Sequence, residues 1–187
     1  MKELNVFSDY DKWSEICKQG IFEAWVPFVS DRPLEFFIPN HDNPKKGTLT
    51  DVISDNTQES QQRIITDLKR RKVLILTSDE LCKDMMFPDV LVAKIISIKD
   101  HHRDKDWYNN LLIKDKHPFY IHIPENEIIK ESYINVSQPM TIGKKMLIKN
   151  HNMILPADRM ILVERRYADM VELGVIKVSE DSQVINE

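Results

Sequence analysis

At 187 residues the chain is long enough for one domain, or one domain with an appendage, to bury its own core. Its 42% hydrophobic and 30% charged residues are ordinary for a globular protein, and no apolar run approaches the roughly 20 residues of a membrane-spanning helix, so no membrane association is expected. The net charge of −4 excludes a surface coated in positive charge and confines any nucleic-acid contact to local patches.

The opening MKELNVFSDYDKW has no apolar signal region, and Cys17 and Cys82 lack a pairing context. Both features lead to the expectation of a cytoplasmic protein. Residues 9–20 read as a short amphipathic helix, capped by Ser8 or Asp9, with Trp13, Ile16 and Cys17 on one face. Strands are predicted at 21–26 and 34–38, punctuated by Pro27, Pro33 and Pro39. Residues 41–47 form a turn-rich joint, so 1–46 is expected to be an N-terminal addition packed on the main domain. A strand at 48–53 follows. In 57–69, Ile64, Ile65 and Leu68 are spaced as in a short helix.

Two β-branched runs, at 73–76 and 90–93, read as buried strands. The cluster Lys69, Arg70, Arg71 and Lys72 sits at the mouth of the first, and Ser97 and Lys99 at the exit of the second. As neighbours in one sheet, these strands place cations and a hydroxyl on a shared rim. Residues 100–118 form a polar connector holding His101, His102, Trp107, Tyr108 and His117. Trp107 and Tyr108 are suited either to stacking on unpaired bases or to packing the loop. The histidines lack the spacing of a zinc site, so no metal is expected.

Further strands are predicted at 119–123 and 133–136, with Pro139 at an edge or end, and another begins at 146–148. A helix over 156–174 has Pro156 in its first turn and Gly174 as its stop. Its buried face is expected to be Met160, Ile161, Val163, Tyr167, Met170 and Val171. An acidic tail, 177–187, follows. The fold class is therefore mainly β with helices (α+β): a small, strongly bent antiparallel sheet with one closing helix. With four glycines the chain has no phosphate-cradling loop, and it has no G-x-S-x-G elbow.

Three segments in order, RRKVLILTSDE, DVLVAKIIS and SYINVSQPMTIGKKML, resemble the MazF/PemK family of toxin endoribonucleases. The last is matched at Ser132, Ile134, Gln138, Thr141, Ile142, Lys144 and Leu147, and the likeness covers about residues 47–174, within a domain expected at 47–176. The resemblance implies an SH3-like barrel with a C-terminal helix. It also implies cleavage of single-stranded RNA by 2′-OH attack with no metal or other cofactor, a homodimer, and a protein antitoxin as partner. Arg71 falls at the family's catalytic arginine, with Lys72 in place of the usual proline; Arg70 takes the role if the register slips by one.

Ile96 stands where the family has its catalytic threonine. Ser97 and Lys99 match the serine and lysine of the T-S-x-K motif in the related ToxN-type nucleases. The expected catalytic set is thus Arg71, Ser97 and Lys99. Arg70, Lys72, His101, His102, Trp107, Gln138 and Thr141 are the expected RNA contacts. The alternative is a catalytically lapsed module of the same fold that binds RNA or a protein without cutting.

Overall fold

Val73, Leu74 and Ile75 are all fully buried, so the strand that carries them must be covered on both faces. The structure, a computed structural model, describes residues 6–28, 35–40, 42–51 and 63–172. The buried strand is β5 (Asp67–Ile75), which lies between β1 (Gly20–Phe28) and β6 (Asp89–Ser97) in a six-stranded sheet. The outer strands are β7 (Tyr120–Ile123), β8 (Ser132–Gly143) and β9 (Leu147–Ile154), and the order is β7-β8-β6-β5-β1-β9. Every pairing in this sheet is antiparallel.

Val73 and Ile75 join Phe22, Val92 and Leu147 in a core that includes Phe7 and Trp13. Leu74 joins Ile21, Ala93 and Ile134 on the opposite face. Helices α1 (Asp79–Lys83), α2 (Asp100–Arg103) and α3 (Ala157–Met170) accompany the sheet. Met160 and Val163 of α3 complete the second core, while Ile161, at 65% exposure, and Val171, at 39%, lie off the buried face expected of them. A smaller sheet of order β3-β2-β4 joins β2 (Glu35–Asn40), β3 (Asn43–Thr50) and β4 (Arg63–Ile65). It grows from the end of the β1–β5 pair, where Phe28 faces Asp67 and the Thr66 hydroxyl donates to the Phe28 carbonyl at 3.2 Å.

The mainly β class and the closing helix agree with the sequence reading, and several local elements differ from it. Within the N-terminal segment, β1 is an inner strand of the main sheet, with β5 and β9 on its two edges. Residues 9–20 hold a 3-10 turn (Tyr10–Glu15), started by Asp9, whose side chain accepts the Asp11 N–H at 3.0 Å. Part of the expected joint at 41–47 lies in β3. There Gly47 faces Pro39, and a Cβ on it would stand 2.1 Å from the Ile38 carbonyl oxygen, so only glycine permits this approach.

In place of the expected helix at 57–69, residues 63–65 and 67–69 are strand, because β2 and β1 offer ladder partners. Its supposed apolar face is open: Ile64 is 64% exposed and Leu68 47%. Pro139 sits inside the long β8, where residues 136–139 lie opposite Ala93 alone. This bulge removes the need for a ladder N–H that proline lacks. Residues 52–62, Gly174 and the acidic tail lie outside the described residues.

One buried charge ties α1 to the first core. Lys144 is fully buried, and its Nζ donates to the carbonyls of Leu81 and Asp84 at 2.8 Å each, 4.6 Å from the centre of the Trp13 ring. These carbonyls belong to the end of α1, where a cation is favoured by the helix dipole. Burial pushes the Lys144 pKa below its ordinary value. Lys144→Met keeps the length and removes the donor, leaving both carbonyls short of a partner. It is expected to cost about 2–4 kcal/mol, read as a lower urea midpoint with an unchanged denaturant slope.

Candidate functional site

Strand β5 keeps its partner on one side longer than on the other. Its register with β1 runs from Leu74 back to Asp67, but its register with β6 stops at Lys72↔Ile95. Strand β6 meanwhile continues beside β8 as far as Ser97↔Ser132. The sheet therefore forks, and Arg71 and Ile96 are the first residues past the last paired position. The fork opens into a cleft of about 1050 Å³. Among the described residues, the cations Lys69, Arg70, Arg71, Lys72, Lys94 and Lys99 line it, against one carboxylate, Glu23.

Alternation along β5 divides its cations between the two faces. Lys69 and Arg71 leave on the side of Val73, and Arg70 and Lys72 on the side of Leu74. Arg70 clamps Glu23 with its Nη2 at 2.9 Å and its Nε at 3.2 Å. The two side chains are 41% and 25% exposed, so solvent screens the pair and its net contribution to stability is modest. Lys72 donates to the Ile128 carbonyl at 3.2 Å, and Lys69 stands 3.4 Å from the centre of the Phe28 ring. Lys94 donates to Gln138 Oε1 at 3.3 Å, which holds both side chains over the bulge in β8. Arg71 donates to the Arg70 carbonyl at 3.1 Å and has no carboxylate partner among the described residues.

Of the expected site residues, Arg70, Arg71, Lys72, Ser97, Lys99 and Gln138 all line the cleft. Ile96 lines it too, so the hydroxyl at this strand end belongs to Ser97, which is exposed. Thr141 lies apart, exposed on β8 opposite Leu91. His101, His102 and Trp107 belong to the neighbouring connector, where α2 leads into a π-helical turn (Trp107–Leu112). Lys94 escaped the sequence reading because Val92, Ala93 and Ile95 surround it. The signal was its alternation: Ala93 and Ile95 face the second core and Lys94 faces away.

The connector is fastened to the sheet through one carboxylate. Glu131 Oε1 accepts from the Tyr108 hydroxyl at 2.6 Å and lies 2.9 Å from His122 Nε2, while its Oε2 pairs with Arg103. Burial alone pushes the Glu131 carboxyl up; bonds from Tyr108, His122 and Arg103 outweigh it and hold the pKa below the ordinary value. Among the described residues no group of His, Cys, Asp or Glu stands together as a metal site, and no helix is long and apolar enough to cross a membrane.

No protein-family model matches the chain, and no curated protein does. Solved structures similar to it include an endoribonuclease in complex with its cognate antitoxin from a mycobacterial species, at 15% identity. That likeness covers 56% of this chain and 81% of the other, with a TM-score of 0.39. The MazE–MazF complex (Form-II) from Deinococcus radiodurans is similar at 10% identity over 84% of this chain and 96% of that one, with a TM-score of 0.43. MazF (Form-I) from the same organism gives 10% identity, 78% and 98% coverage, and a TM-score of 0.41. What the cleft can do follows from its own side chains.

The fastening by Glu131 has a signed pH dependence. Because the folded pKa is depressed, its stabilisation is present above the ordinary carboxyl value of 4.5 and is lost as pH falls through the folded value. Glu131→Gln is expected to lower neutral-pH stability by about 1–3 kcal/mol. It should also flatten the loss of stability on acidification, both measured by urea unfolding across a pH series.

Proposed function

We propose that the chain is a metal-independent endoribonuclease, the toxin of a toxin–antitoxin pair, which cuts single-stranded RNA by attack of a 2′-hydroxyl on the adjacent phosphate. The observation that carries this reading is the fork: a ring of cations around one ion-paired carboxylate, with Arg71, Ser97 and Lys99 together in the cleft. Such a reaction builds negative charge on the phosphate oxygens in its transition state. A guanidinium stays charged and offers two parallel donors to those oxygens, and Arg71 is the cleft arginine without a carboxylate partner among the described residues. Lys99 and Lys94 add charge from the β6 side, and Ser97 supplies a hydroxyl to orient the phosphate.

Arg70, Lys72 and Gln138 are placed to hold the strand on either side of the cut. His101, His102 and Trp107 contact it further along, on the connector. Thr141 is assigned to RNA on the sequence motif and stands away from the cleft. An antitoxin that blocks this site would bring acidic side chains to the same cations, and the protein would act in the cytoplasm as a homodimer.

A separate observation favours a second reading. Ile96 occupies the mouth of the fork with no hydroxyl, and among the described residues the carboxylate lining the cleft is already paired to Arg70. A lapsed nuclease that binds RNA without cutting would have this composition.

Incubation of the purified protein with a long RNA in EDTA, with product ends mapped, separates the two. Cuts ending in cyclic phosphate, slowed roughly 100-fold by Arg71→Ala, support the nuclease. Intact RNA with salt-sensitive binding supports the lapsed module. Absence of both cutting and binding overturns the nucleic-acid reading.

A further inference from the structure

The wall of the cleft continues into a set of aromatic rings. Ile96, which lines the cleft, stands opposite Tyr133 of β8, and Tyr133 stands opposite His122 of β7. In the adjacent row Lys94, also in the cleft, is followed by Asn135 and Tyr120. Residues directly opposite one another share a face of the sheet. Neighbouring strands lie about 4.8 Å apart, so Tyr133 is one strand from the cleft wall and Tyr120 two.

Trp107 lies edge-on against both tyrosines, with ring centres 5.8 Å from Tyr133 and 6.1 Å from Tyr120. It also meets His117 at 6.2 Å and His102 at 5.4 Å. His117 lies flat on Tyr120, 4.1 Å between centres and 9° from parallel. None of these five residues is buried. Tyr108, the next residue after Trp107, is only 8% exposed and tied to Glu131. One ring of the pair thus fastens the connector, and its neighbour is left half open above the sheet.

We propose that Trp107, Tyr133, Tyr120 and His117 form a stacking subsite for an unpaired base of the RNA strand whose phosphates lie in the cleft. The subsite rests on the nucleic-acid reading of the cleft and adds where the base goes. Cations along the backbone track with aromatic faces beside it are the two parts of a single-strand site. The rings are also set in advance. His117 Nδ1 accepts the N–H groups of Phe119 at 3.2 Å and Tyr120 at 3.1 Å, which leaves the ring proton on Nε2. Burial and the nearby Arg166 hold its pKa below the ordinary value, so at neutral pH the ring is uncharged. A neutral imidazole fixed flat on a tyrosine offers an aromatic face and one N–H donor, and little ordering is left for binding to cost.

The test compares two fluorescein-labelled decamers that lack a 2′-hydroxyl nucleophile, 2′-O-methyl oligoadenylate and a strand of the same length built from abasic 2′-O-methyl sugars. Binding is followed by anisotropy across a salt series. Trp107→Ala and Tyr133→Leu should each weaken the adenine strand roughly 5- to 100-fold and leave the abasic strand and the salt slope unchanged. Trp107→Phe should restore most of the loss. Arg71→Ala should weaken both strands alike. Equal loss on both strands for Trp107→Ala and Tyr133→Leu, or no loss on either, overturns the subsite and leaves the cationic cleft standing. Failure of the wild-type protein to bind either decamer overturns the cleft reading and the subsite with it. Thermal melting of each variant identifies one that has not folded, and Tyr120→Leu then takes its place under the same criteria.

Discussion

Strand β5 has two neighbours that leave it at different points, and the rest of the molecule follows from that mismatch. Its last residues, Val73 to Ile75, are flanked on both edges and covered on both faces, so they are apolar. Its first residues, Asp67 to Arg71, keep only β1 and are exposed, so they can be charged. A single nine-residue strand thereby passes from protein core to open cleft. Strand β6 departs because it is paired to β8 beyond the fork, and strands in a twisted sheet that lose direct pairing diverge. The bulge at Pro139 then brings Gln138, Pro139 and Met140 to line the opening from the far side.

The apolar half of this arrangement was legible in the sequence and the topology around it was not. Runs such as VLI and VLVA have no polar face, and that alone requires two covering layers. The cations before the first run could be assigned to its mouth for the same reason. Which strand would cover them could not be read. The segment 21–26 reads only as a strand ended by Pro27, yet Ile21, Phe22, Ala24 and Val26 are buried because long-range pairing with β5 and β9 places them centrally. Ile64, Ile65 and Leu68 followed helical spacing by coincidence, and the ladders with β1 and β2 overrode it.

The connector shows the same limit from the other side. Its polar composition suggested an exposed loop, and polarity is what lets Glu131, Tyr108, His122 and Arg103 fasten it by hydrogen bonds, in addition to the burial of Leu112. Composition distinguishes charged from apolar but does not reveal which charged groups will find one another across the sheet. The π-helical turn is a rare geometry, found mostly as single turns and frequently at functional sites. Here it separates Tyr108, which faces Glu131, from Trp107, which faces Tyr133 and Tyr120.

The two kinds of lysine in this protein differ in chemical accessibility. Lys69 and Lys99 are exposed at the cleft and Lys72 and Lys94 half-buried beside it, whereas the Lys144 amine is sealed beneath Trp13 with its protons committed to two carbonyls. Acylation of the folded chain would therefore strip charge from the accessible lysines, those of the groove among them, and spare the lysine that holds α1 in place. Surface electrostatics and structural integrity are carried by the same residue type yet are separable by a reagent, with Lys144 becoming reactive only when the first core opens.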